Sequence, residues 1–221
     1  MSAKGIQTHA WPLRLAHWTM AIAILVMIGS GWRIYNAEPI LPFRFPLALT
    51  LGGDVEAALA RHGDPGVATA IAWHFAGMWL LGAAFGLFLL HGLISGHFRR
   101  DYLPLTPRAF LRDFSDALRF RLEHRLGVYN AVQKAFYWCV ILALVVVILS
   151  GIAIWKPVQT YPLETLFGGF QGARTVHFLA MTAIAGFLVI HLALVAIVPS
   201  TLVAMITGRS GSSPAPEGDA P

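Results

Sequence analysis

Hydrophobic positions in this chain neither alternate at the period of a strand nor form the narrow stripe of a surface helix. They come in four blocks that are apolar all round, near residues 13–34, 68–96, 133–155 and 174–198. A helix needs roughly 20 apolar residues to cross a bilayer. It also satisfies its own backbone hydrogen bonds there, which an isolated strand cannot do. The pattern therefore predicts an all-α integral membrane protein, a bundle of four transmembrane helices in one domain over residues 1–208.

Shorter signals lie between the blocks. In the 35–67 connection, "GGDVEAALARHGDPG" reads as a short helix ended by Gly63. Asp64 then caps the second membrane helix, with Pro65 at its first position. "PRAFLRDFSDALRF" places Phe110, Phe114 and Leu118 at i, i+4 and i+8 with charges opposite, the pattern of an amphipathic helix lying in the interface. The tail over 209–221 is rich in Gly, Ser and Pro and is expected to be disordered. The first apolar block is longer than the roughly 7–15 residues of a secretory signal and lacks a small-residue cleavage site, so it reads as a retained helix.

Composition strengthens the membrane assignment. Of 221 residues, 57% are hydrophobic and 12% charged, against about 25% charged in soluble domains. Mean hydropathy is +0.64. Cys139 is the single cysteine, which excludes an internal disulfide, a cysteine-ligated iron–sulfur cluster and covalent haem attachment through C-x-x-C-H. Charge sets the expected orientation. Both termini, the 97–132 loop and Lys134 just after it carry eleven basic residues, whereas the opposite side carries five: Arg33, Arg44, Arg61, Lys156 and Arg174. Basic residues accumulate on the cytoplasmic side, so both termini are expected there. The net charge of +5 is accounted for by this asymmetry and by anionic lipid, with no nucleic-acid partner.

Nine histidines are present. His9, His62, His97 and His124 fall in loops and read as solvated. His17, His74, His91, His177 and His191 fall inside the apolar blocks, where an ionisable residue is a functional hypothesis by default. His177 and His191 are fourteen residues apart, about 1400° of helix and about 21 Å of rise. They share one face at two depths. A zinc cluster would instead want ligands at i and i+3 or i+4.

Two ligands at two depths suit two b-type haems stacked across the membrane, each needing a second axial ligand from another helix. His74 is level with His177 on the periplasmic side, and His17 is broadly level with His191 toward the cytoplasm. His91 is also at cytoplasmic depth and competes with His17. It lies seventeen residues from His74, about 100° out of phase, so the second helix does not present two ligands on one face. His17 is favoured, leaving His91 as an alternative ligand or a quinone contact. Imidazole on both axial positions leaves no open iron site, which means electron transfer and not oxygen activation. Gly31, fourteen residues after His17, could clear space at the outer haem. Gly82/Gly86 and Gly92/Gly96 read as close helix packing.

The stretches "RLAHW", "WHFAGMWL", "YNAVQKAFYW" and the fourth-helix "RTVHF" with "VIHL" resemble the di-haem cytochrome b subunits of nickel–iron hydrogenases, formate dehydrogenases and thiosulfate-reductase-type complexes, relatives of bacterial cytochrome b561. The resemblance spans residues 9–208. It implies axial ligands His17, His74, His177 and His191, and a multi-pass protein of the bacterial inner membrane. It also implies a quinone site beside the inner haem at Asn130 and Gln133, whose amides can both donate and accept hydrogen bonds. The competing reading of these two is helix capping and interfacial solvation.

The expected function is electron transfer between a periplasmic redox enzyme, of hydrogenase, formate dehydrogenase or molybdopterin oxidoreductase type, and the quinone pool. The alternative is a free-standing oxidoreductase that passes electrons from a small periplasmic reductant such as superoxide to quinone. A histidine-lined metal transporter would want acidic residues in the helix cores, and these hold none.

Overall fold

The computed structural model describes residues 10–53, 65–119, 121 and 130–208. Among these residues the regular structure is entirely helical: α1 (Trp11–Ala37), α2 (Pro65–Ile94), α3 (Pro107–Leu118), α4 (Ala131–Trp155), α5 (Tyr161–Leu166), α6 (Gly169–Ile197) and α7 (Pro199–Thr207), with short 3-10 and π turns at Leu47–Leu49 and Phe98–Tyr102. Helices α1, α2, α4 and α6 are the ones long and apolar enough to cross a membrane. At about 1.5 Å per residue, even the 25-residue α4 exceeds a hydrocarbon core of about 30 Å. The expected helix before Gly63, the Asp64 cap, His9, His62, His124 and the tail from residue 209 lie outside the described residues.

Boundaries differ from expectation for local reasons. Helix α6 begins five residues earlier than 174 because Gly168 and Gly169 adopt φ of +85° and +81°, a left-handed turn that glycine enters without strain. The polar Gln171 and Arg174 then ride on its first turns. Helix α2 stops at Ile94, just before Gly96 at φ +66°. Helix α7 was not expected. Pro199 ends one helix and, with its fixed φ, opens the next.

Helix α1 runs along α2 and α4 runs along α6; these are the two extensive helix–helix contacts. The chain is thus two tight hairpins facing each other. At mid-height they meet through an apolar layer of Ala23, Leu81, Phe85, Leu144, Val147, Ala180 and Ile184, drawn from all four helices. Large apolar side chains such as Leu25, Trp79, Leu142 and Val189 point outward, as a lipid-facing surface requires.

The close approach of α1 and α2 falls at Gly77, where an added Cβ would meet Met27 Sδ at 3.0 Å. The GxxxG pairs do not supply it. A Cβ on Gly82 or Gly86 meets nothing within 4 Å, Gly92 makes room for the Phe98 ring, and Gly96 terminates the helix. Four-residue spacing says that two glycines share a face, not which face it is.

The segments between hairpin arms are tied down. Leu51 N donates to Gly29 O at 2.9 Å, which returns the 38–53 connection to α1. The Asn36 amide donates to Phe45 O (2.8 Å) and accepts from Phe45 N (2.9 Å), while Trp32 stacks on Phe45 at 4.5 Å. Helix α3 has stacked Phe110 and Phe114 rings (5.7 Å) and docks through Asp113, whose Oδ2 accepts from Ala131 N at 2.8 Å. That N–H, opposed by burial and aided by Arg112, holds the Asp113 carboxyl below its ordinary value. His97, expected to be solvated, is paired with Asp101 and edge-on to Tyr102 at 5.0 Å.

Candidate functional site: two facing histidine pairs

The four histidines stand as two facing pairs. The His74 and His177 ring centroids are 6.3 Å apart at an interplanar angle of 64°, near the end of the bundle where α1 and α4 finish. Those of His17 and His191 are 6.2 Å apart at 62°, near the end that holds the start of α1. Both relations cross from one hairpin to the other. His91 lies half-buried on α2, and its carbonyl accepts from Ser95 N and Oγ. The ring opposite His191 is that of His17, while Phe187 stacks beside His191 at 5.6 Å.

The separation is informative. Stacked imidazoles would stand closer, whereas edge-to-face rings, at about 4.5–7 Å, also reach this separation. A metal ion between two imidazoles makes bonds of about 2.0–2.1 Å. With about 1.1 Å from each nitrogen to its ring centre, the two centroids then stand about 6.3 Å apart. Both pairs have this separation.

The pair at the 6.3 Å position is held from behind. Ser30 Oγ, on α1, lies 3.0 Å from His74 Nδ1; Ser150 Oγ, on α4, lies 3.2 Å from His177 Nδ1. Both serines are fully buried. Each is followed by a glycine beside the same ring. A Cβ on Gly31 would sit 3.4 Å from His74 Cε1, and one on Gly151 would sit 3.1 Å from His177 Cε1. Gly31 therefore clears the imidazole itself.

Cations lie one turn outward from two of the histidines. Arg14 precedes His17 by three residues and donates to the Ile206 carbonyl at the end of α7, and Trp18 Nε1 donates to Met205 O at 3.4 Å. Arg174 precedes His177 by three and donates to Glu38 O at 2.6 Å. Arg33 is buried on α1 near Ser30. The Trp32 Nε1–H, next to Gly31, is buried without an acceptor. Nothing in the sequence by itself assigns Ser30 or Ser150 to a histidine. The repeated R-x-x-H and Ser-Gly pairs were the available signals.

Asn130 and Gln133 form a reciprocal cap at the start of α4. Asn130 Oδ1 accepts from Gln133 N (2.9 Å), and Gln133 Oε1 accepts from Asn130 N (3.2 Å). Both side-chain oxygens are thereby used, leaving the amide N–H groups as the donors these residues offer.

Residues 8–208 match the family described as prokaryotic cytochrome b561. The chain belongs to the prokaryotic cytochrome b561 family. A relative from Azospira oryzae, assigned as a candidate protein-methionine-sulfoxide reductase subunit, YedZ1, is 41% identical over 210 residues, covering 95% of this chain and 100% of the relative. A cytochrome b561-family protein carries b-type haem and transfers electrons in the membrane, and this one is a multi-pass protein of the bacterial inner membrane. Its residues fit such a cofactor. Paired imidazoles stand at metal-bridging separation, and the buried Trp32 donor has no protein acceptor.

Proposed function

We propose that this cytochrome b561-family protein holds two b-type haems, one between His74 and His177 and one between His17 and His191, and carries electrons between quinol and a partner oxidoreductase. The observation that carries the reading is the pair of ring separations, 6.3 and 6.2 Å, at two levels of one bundle. Haem with two imidazole ligands supplies one-electron transfer and no site for oxygen. The protein contributes position. The two levels are fourteen residues apart on α6, about 21 Å along its axis, with a buried apolar layer between them. Both termini are cytoplasmic in this reading, by the excess of basic residues on that side. Quinol binds near the start of α4, where Asn130 and Gln133 offer amide donors. The full-length match to a candidate reductase subunit supports a partner that consumes electrons, with oxidised protein methionine as its substrate. With haem held at both pairs, electrons would pass one at a time from quinol by way of the His17/His191 level and the His74/His177 level to the partner.

The compact packing of 38–53 against α1 favours a second reading, a free-standing oxidoreductase. One preparation separates the two. The chain is extracted in mild detergent, its haem counted optically, and its quinol-driven reduction measured with and without co-purifying protein. Two haems per chain and dependence on a partner for onward transfer support the subunit reading. Turnover of a small periplasmic reductant by the chain alone supports the second. Absence of b-type bands would sink both.

A further inference from the structure

The hydroxyls of Ser30 and Ser150 are arranged alike on two different helices. A serine has one proton to donate. Ser30 Oγ donates it to Val26 O at 2.6 Å, and Ser150 Oγ donates it to Val146 O at 2.6 Å. With that proton placed, each oxygen can only accept from the histidine it touches, so both contacts run from Nδ1–H to Oγ. The serine acceptor on each ring thus fixes the proton on Nδ1 and leaves the Nε2 lone pair for a metal.

We propose that Ser30 and Ser150 are positioning residues that lock His74 and His177 in the iron-binding tautomer and hold the midpoint potential of that haem down. This rests on the ligand assignment proposed above. An Nδ1–H that donates to an oxygen makes its imidazole a stronger electron donor, which favours ferric over ferrous iron. Each bond lies inside one tight hairpin, Ser30 to His74 between α1 and α2, Ser150 to His177 between α4 and α6. Each histidine is therefore oriented by its own hairpin before the two rings face each other. His191 sits half-buried with the Phe187 ring stacked beside it.

The test is potentiometric titration of the purified full chain, wild type against Ser30→Ala, Ser150→Ala and the double variant, with haem counted in each. The expected result is an upward shift of one midpoint potential in each single variant and a larger shift in the double, the second potential staying in place. Ser→Thr at either position keeps the hydroxyl and restores the wild-type value. If an alanine variant loses that haem, retention by the threonine variant supports the role, and loss in both overturns it. Unmoved potentials, or equal movement of both, overturn the serine roles while leaving the ligand assignment standing. A wild-type chain without two haems overturns the ligand assignment and the proposal with it.

Discussion

Gly151→Ala isolates how much the His177 position depends on one missing methyl group. The added Cβ would stand 3.1 Å from His177 Cε1, against 3.4–4 Å for ordinary contact, so the ring must yield by a few tenths of an ångström. It has little freedom to do so, being bonded through Nδ1 to buried Ser150 on the same stretch of α4. Overpacking of this kind costs about 1–3 kcal/mol, which corresponds to roughly 5–150-fold in binding of whatever the ring ligates. Alanine is also the better helix former, by about 1 kcal/mol, so α4 itself should not suffer. Gly31→Ala is the internal control. Its Cβ would meet His74 Cε1 at 3.4 Å, inside the ordinary range, with a predicted effect of less than about 1 kcal/mol. The assay is haem retained per chain during dilution in detergent, read from the reduced b-type bands. Loss of one haem in Gly151→Ala, with near wild-type retention in Gly31→Ala, is expected. Equal retention in both variants, or equal loss, would refute the steric reasoning.

Other outcomes follow from the same geometry. His17→Ala should remove one haem and His91→Ala none, by haem count; the reverse result would move the ligand of His191 to α2. Asn130→Ala should weaken the start of α4 by about 1 kcal/mol, the usual value of an N-cap, seen as faster amide exchange at Gln133. Because the Asp113 carboxyl is held below its ordinary value, its contribution to docking of α3 is present above the unfolded carboxylate range and is lost as pH falls through the lower folded value. Protection of the Ala131 amide, taken relative to its intrinsic exchange rate at each pH, should therefore be high at neutral pH and fall in acid, and Asp113→Asn should remove that fall.

The membrane helices were legible because nothing but a helix tolerates so long an apolar run in lipid. Their ends were less so. Arg174 and Gln171 look like loop residues, yet Gly168 and its left-handed φ set the start of α6. Pro199 looks like a stop and is also a start. That His177 and His191 share a face at two depths follows from helical period alone. The serines behind His74 and His177 were invisible for a physical reason. A helical serine satisfies itself on the i−4 carbonyl, and only the fold shows that its lone pair meets a histidine 44 or 27 residues away. The outward face of Gly82 and Gly86 was equally hidden, since it depends on where α1 packs.

The division into two hairpins has a consequence for assembly. Each half is knit internally, α1 on α2 and α4 on α6, with its own serine–histidine latch. Each can enter the bilayer as a finished unit, in the order the ribosome delivers it. Were haem held between His74 and His177 and between His17 and His191 as proposed, it would be the last structural part added, a rivet through two preformed plates.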